Sequence, residues 1–166
     1  MKNIITIVIP LYERDENTEI FLKNNIYSKY DYFFCDGGYS NIHQKKFNSI
    51  KSKNIYYKKF KTDKNLPYDM VKKIKSSLEI INTKYVMLSD NDDFLNYYGI
   101  NKCINYLENN NDFDFVGGDT LFIRKSRIKN KYHLTPGQKN SKIYDSKKGK
   151  ENVINYFSKK KSNTIV

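Results

Sequence analysis

The stretch Tyr85-Val-Met-Leu-Ser-Asp-Asn-Asp-Asp-Phe94 is an apolar run that ends abruptly in three carboxylates, Asp90, Asp92 and Asp93. It reads as a buried strand that delivers acids to the edge of a sheet. Unpaired charge is too costly to leave in a core, so these acids call for a partner. A divalent metal bound to a phosphate ester is one such partner.

Working outward, Ile4–Ile9 is a continuous β-branched run closed by Pro10, the pattern of a strand covered on both faces. Asn17 or Thr18 is placed to cap a helix carrying Ile20, Phe21, Leu22 and Ile26. Tyr32–Cys35 predicts a second strand that ends at Asp36-Gly37-Gly38, residues 41–52 a helix, and Ile55–Tyr57 a short strand. A helix is predicted from about Pro67, with Val71, Ile74, Leu78 and Ile81 on its inner face. After the Tyr85–Ser89 strand, a helix turns Ile100, Ile104 and Leu107 inward, and Phe113–Val116 and Thr120–Ile123 read as two further strands. The alternation predicts an α/β fold with a mainly parallel central sheet and helices on both faces. No internal repeat is visible. Beyond Lys125 the pattern degrades, with one helix expected near 150–158.

Bulk properties narrow the class. A chain of 166 residues with 39% apolar and 15% aromatic content is long enough and greasy enough to fold around a core. Its net charge of +12 is uneven: residues 1–123 carry 17 Lys and Arg against 16 Asp and Glu, and residues 124–166 carry 13 against 2. Such a tail suits anionic partners, an acidic membrane surface among them, and equally suits a merely solvated segment. Cys35 and Cys103 have no second Cys or His at metal spacing, which disfavours a zinc site and a disulfide framework and fits a reducing compartment. The apolar start is too short, and too quickly followed by Pro10 and Glu13–Glu16, to read as a signal peptide. No run is long enough to span a membrane. A cytoplasmic protein is expected, with peripheral attachment at the inner membrane face as a further option.

Three strand ends supply polar groups to one predicted edge. They are Pro10, Tyr12, Glu13 and Arg14 after the first, Asp36 with its two glycines after the second, and Asp90, Asp92 and Asp93 after the fourth. Asp-Gly-Gly is also ordinary turn chemistry, and Asp92 or Asp93 alone would serve as a helix cap. Three acids within four positions exceed what capping needs, which favours ligation.

In order and spacing these elements resemble the inverting family 2 glycosyltransferases of GT-A fold. Ile4-Ile-Thr-Ile-Val-Ile-Pro-Leu-Tyr-Glu-Arg14 is similar to that family's first-strand signature, with Glu13 in place of the usual Asn. Phe34-Cys-Asp-Gly-Gly38 resembles the second signature with one acid retained, and Leu88–Phe94 resembles the Asp-x-Asp segment. The resemblance covers residues 3–123. It implies a nucleotide-sugar-binding GT-A domain over residues 1–124, with residues 125–166 as a basic segment or the opening of an acceptor-binding part.

By that resemblance Tyr12 flanks the nucleotide base, and Pro10, Glu13 and Arg14 belong to the nucleotide site. Asp36 hydrogen-bonds a base edge, with uracil favoured, and Asp90 faces the ribose or the metal. Asp92, with Asp90 and Asp93, coordinates Mg2+ or Mn2+. One of Lys72, Lys73 and Lys75 would supplement the metal. The donor implied is a nucleotide-sugar, UDP-linked by preference, and the acceptor a saccharide or lipid-linked group. Inverting transfer also needs a general base. Asp145 and Glu151 have no matching local motif, and Asp119, after Gly117-Gly118, is the better-placed candidate. The alternatives are a catalytically incomplete nucleotide-binding module, a fragment of a longer enzyme, and a module binding nucleic acid or an anionic membrane through residues 125–166. Nucleic acid is disfavoured because the tail has no recognisable binding fold. A phosphotransfer domain is weakened because the first strand does not end in a nucleophilic Asp.

Overall fold

In a computed structural model, residues 3–61, 66–117, 121–125 and 132–136 are described. The chain divides into two compact units, Met1–Leu95 and Asn96–Val166. The division falls well before residue 124, where the charge changes.

The first unit is built on β1 (Ile5–Leu11), whose first five residues are all buried. It is followed by α1 (Asp15–Asn24), β2 (Asp31–Asp36), α2 (Ile42–Ser49), β3 (Ile55–Lys59), α3 (Leu66–Leu78) and β4 (Tyr85–Leu88). The four strands form one parallel sheet in the order β3-β2-β1-β4. The chain therefore steps outward from β1 to β3 and then returns to the other side of β1. This reversal is the topological feature at which open α/β sheets gather ligands.

Helices cover both faces, as the alternation predicts. On one face Phe34 meets Phe21 of α1 at 5.9 Å and Phe47 of α2 at 4.6 Å between ring centroids, and Phe47 stacks on Tyr57 of β3 at 4.8 Å. On the other, Val8, Phe33 and Cys35 form a buried cluster with Phe60 and Ile81 against it. β1 pairs with β2 through Leu11 but with β4 only through Val8. The Val8 carbonyl takes the Ser89 N–H and the Leu11 carbonyl takes the Gly37 N–H, so alternation turns Pro10 toward the β4 side. It falls one step beyond the last β4 rung, where a residue with no N–H breaks no bond.

Two helical expectations change. α1 begins at Asp15 with no side-chain cap, and Thr18 lies inside it, its hydroxyl donating back to the Arg14 carbonyl at 3.0 Å. α3 has the expected period but buries another stripe: Asp69, Lys73 and Ser77 are buried, while Val71 is 61% and Leu78 45% exposed. Two members of this buried polar stripe, Lys73 and Ser77, are hydrogen-bonded, whereas Asp69 Oδ1 is buried without a hydrogen-bond partner among the described residues. Lys73 Nζ donates to the Leu11 carbonyl at 3.0 Å and Ser77 Oγ to the Lys73 carbonyl at 2.7 Å.

The second unit holds α4 (Tyr97–Asn109), β5 (Leu121–Lys125) and β6 (Tyr132–Pro136). α4 is capped by the Asn96 side chain, which accepts from the Gly99 N–H at 3.2 Å, and it buries Ile100 and Ile104 as expected. Phe113–Val116 is not a strand; Phe113 instead sets its ring against Tyr106 at 5.5 Å. β5 pairs antiparallel with β6 in a separate two-stranded sheet rather than joining the parallel one. No helix among the described residues is long and apolar enough to cross a membrane. Most of the basic tail, the helix expected near 150–158, Asp119, Asp145 and Glu151 lie outside the described residues.

Phe34 is fully buried where α1, α2 and the sheet meet. Phe34→Ala should therefore cost about 3–5 kcal/mol, the usual range for emptying an aromatic core position. Urea denaturation checks this; a loss below about 1 kcal/mol would mean that this ring does not join the layers.

Candidate functional site

A cleft of about 330 Å³ opens at the carboxyl ends of β1 and β4, at the reversal of strand order. β1 and the turn after it contribute Pro10, Leu11, Tyr12 and Arg14, and the turn after β2 contributes Gly37. α3 supplies Asp69, Met70 and Lys73, and the loop after β4 supplies Asp90, Asn91 and Asp92. Of the expected residues, Pro10, Tyr12, Arg14, Asp90 and Asp92 thus come together. Glu13, Asp36 and Asp93 do not line the cleft, and each has a different use.

Asp36 closes β2 with no exposed surface. Its Oδ1 accepts the Gly38 N–H at 2.7 Å, and its Oδ2 accepts the Tyr57 hydroxyl at 2.7 Å and Lys59 Nζ at 3.1 Å, with His43 Nδ1 at 3.6 Å. Burial alone would raise its pKa. The bonds from His43, Tyr57, the Gly38 N–H and Lys59 outweigh burial and hold it at about 2. Burial, and then the Asp36 carboxylate, push the Tyr57 hydroxyl upward in turn. Asp36 thus anchors the turn through both of its oxygens, and its expected contact with a base remains a proposal.

Glu13 has a positive φ of 54°, a conformation that Asn adopts more readily than Glu. The strained residue is held because its Oε1 accepts the backbone N–H groups of Tyr39 and Ser40, the latter at 2.9 Å. The Ser40 N–H is the chief cause of its lowered pKa. A Cβ on Gly38 would come within 2.7 Å of that Oε1, and one on Gly37 within 2.8 Å of Lys73 Nζ. A side chain at either glycine would therefore have to displace the Glu13 carboxylate or the Lys73 ammonium. Glu13 ties the β1 turn to the β2 turn and does not line the cleft; its expected place in the nucleotide site remains a proposal.

Tyr12 sets its ring edge-on to Tyr39 at 6.0 Å. Arg14 Nη1 reaches Asp92 Oδ2 at 3.2 Å, and both side chains are half-exposed or more. Asp93 serves its own turn: its carboxylate accepts the Asp90 N–H at 3.4 Å, and its carbonyl accepts Asn25 Nδ2 at 2.9 Å. Burial raises its pKa, opposed by the Asp90 N–H and reinforced by the charges of Asp90 and Asp92. Asp93 does not line the cleft, and its expected metal role remains a proposal.

Among the described residues no three His, Cys, Asp or Glu side chains are grouped to hold a metal ion. Asp90 and Asp92 do line one cleft. Two hard carboxylates are what Mg2+ commonly takes from a protein when phosphate and water complete its shell. The pair fits such an ion bound together with a phosphate ligand; a dedicated protein cage does not.

Lys73, one of three lysines the sequence left open, is the one in the cleft; it is 6% exposed, and burial lowers its pKa. Asp69, Met70 and Asn91 were not singled out from sequence. The four-residue spacing of Asp69, Lys73 and Ser77 was the available signal, masked by the apolar stripe beside it.

No family model matches the sequence, and no curated protein matches it. The fold is similar to that of S. aureus TarS. The structure of TarS 1–349 superposes with a TM-score of 0.51 at 14% identity, covering 63% of this chain and 32% of that one. A second TarS structure gives 0.48 at 14% identity, covering 63% and 19%. The chain thus spans about a third of TarS 1–349, and at this identity the likeness is one of fold.

The position of Asp36 has a consequence in acid. Its folded pKa of about 2 lies below the ordinary 3.8, so the unfolded chain binds the proton more tightly. The stabilisation is present above 3.8 and is lost as pH falls toward 2. Asp36→Asn should cost about 2 kcal/mol near neutral pH. The gap in Tm between this variant and the wild type should close as pH falls through that window. A gap that stays constant with pH would show that the carboxylate charge is not what anchors the turn.

Proposed function

We propose that the first unit binds the nucleotide-sugar donor of a glycosyltransferase, with a UDP-linked donor favoured and Mg2+ or Mn2+ as cofactor. The observation that carries the reading is the cleft at the strand-order reversal, where an aromatic residue, two cations and two adjacent acids meet. The fold shared with S. aureus TarS is consistent with it.

In this reading Tyr12 gives the base an aromatic surface. Lys73 supplies a fixed positive charge to the diphosphate from the cleft wall, with Arg14 beside it. Asp90 and Asp92 would hold the divalent ion, which neutralises charge developing on a departing diphosphate. The Arg14–Asp92 pair is no obstacle, since a solvent-exposed ion pair is worth at most about 1 kcal/mol. Asp36 and Glu13 act indirectly, by fixing the turns that carry Gly37 and Tyr12. The acceptor, a saccharide or lipid-linked group, and the general base belong to parts of the protein outside this cleft.

UDP with Mn2+ should raise Tm. At a hundredfold excess over Kd, binding to the folded state contributes about 2.7 kcal/mol, or about 5–10 °C for a chain of this size. Asp92→Asn should abolish the part of the shift that depends on metal. Differential scanning fluorimetry with UDP, GDP and ADP, each with Mn2+, Mg2+ or EDTA, reads both. No shift with any of them would overturn the reading.

A further inference from the structure

The loop bearing Asp90 and Asp92 is mounted on α1 by side chains that ligand recognition does not explain. Asn91, between the two acids, is 6% exposed, and its Nδ2 donates to the Arg14 carbonyl at 3.2 Å and to Thr18 Oγ1 at 3.0 Å. Thr18 has no exposed surface and donates its single hydroxyl proton to the same Arg14 carbonyl at 3.0 Å. With that proton spent, Thr18 Oγ1 can only accept from its other neighbours. The Asn91 amide must therefore present nitrogen rather than oxygen. His43 Nε2 lies 3.3 Å from Thr18 Oγ1, while its Nδ1 faces the Asp36 carboxylate at 3.6 Å. A second mount lies further along the loop, where Asn25 donates to the Asp93 carbonyl at 2.9 Å and accepts the Leu95 N–H at 2.9 Å.

We propose that Thr18 and Asn91 are positioning residues that lock the acid-bearing loop to the Arg14 backbone. The cation affinity of the cleft then depends on a buried hydroxyl–amide junction. The inference rests on the donor-binding reading above. The junction joins the two sides of the cleft: the Arg14 carbonyl precedes α1 on the Tyr12 side, and Asn91 sits between Asp90 and Asp92 on the other. Supporting bonds behind metal-binding groups commonly change metal affinity about 10–100-fold when removed. A buried Asn and Thr with all their bonds directed inward are placed to do so.

The test is the Mn2+ concentration for half-saturation at fixed UDP, read by calorimetry alongside Tm. Thr18→Val keeps the shape of the side chain and removes the hydroxyl. It should raise half-saturation about tenfold, Asn91→Ala should do the same, and Thr18→Ser should return it to within about twofold of wild type. Thr83→Ala is the control for destabilisation alone. It removes the 2.8 Å Thr6–Thr83 bond ahead of β4, at the end of the sheet away from the cleft, and should leave half-saturation unchanged. If Asn91→Ala does not fold, the isosteric Thr18→Val and its Ser rescue decide the matter. Half-saturation within about twofold of wild type in Thr18→Val, or a rise that Thr83→Ala reproduces, overturns the inference and leaves the donor reading standing. Absence of Mn2+-dependent UDP binding in the wild type removes that reading, and the inference with it.

Discussion

At the end of β2 a carboxylate with no solvent contact, Asp36, is surrounded by donors from four places in the chain: Gly38, His43, Tyr57 and Lys59. Burying a charge is favourable only when its lone pairs are filled, so these donors are fixed in space as firmly as the acid is. Through them β2, β3, α2 and the Gly37-Gly38 turn share one origin. His43 extends the arrangement to Thr18 of α1, and Thr18 to the loop beyond β4. The turns around the cleft are thereby referred to one buried anion. Loss of that charge would loosen the cleft before it unfolded the sheet.

The cleft exists because β1 outruns β4. Four rungs join these strands, and β1 then continues beside β2 alone through Pro10 and Leu11. A residue without an N–H at this step costs the sheet nothing. Beyond it Lys73 of α3 reaches the Leu11 carbonyl, which also takes the Gly37 N–H on the β2 side. A lysine so deeply placed keeps its charge only with local compensation, and Asp36 and Asp69 provide it electrostatically.

Much of the sheet was legible because β1 and β2 are short runs of β-branched and aromatic residues ending near Pro, Gly or Asp. Their parallel order followed from alternation with helices. β4 is a strand as its apolar run suggests, but it is not buried: it ends the four-stranded order, with Val86 and Leu88 exposed. Asp36 was not legible: Asp-Gly-Gly announces a turn, and nothing local says that His43, Tyr57 and Lys59 will converge on the acid. α3 misled for a related reason. Its two stripes, Val71–Ile74–Leu78 and Asp69–Lys73–Ser77, have the same helical spacing, and only the tertiary partner decides which turns inward. Phe113–Val116 pairs with no strand among the described residues, and runs that short do not distinguish strand from loop. β6 was missed because its Tyr-His-Leu-Thr-Pro sequence sits in a basic, polar stretch that reads as tail.

The two sets of acids stand in opposite physical situations. Asp36 is saturated with donors, and its charge is strongly favoured. Asp90, Asp92 and Asp93 crowd one loop, and the first two push the third upward in pKa. Arg14 pairs with Asp92 of that trio, but the pair is open to water and therefore weak. Like charges held together by buried amides rather than by counter-charge store repulsion that a bound cation would relieve. The loop is thus stiff in its backbone and unsatisfied in its electrostatics. The cation-bridged phosphate proposed above would suit that combination: a flexible loop would splay its acids apart, and a neutralised one would gain less from the ion.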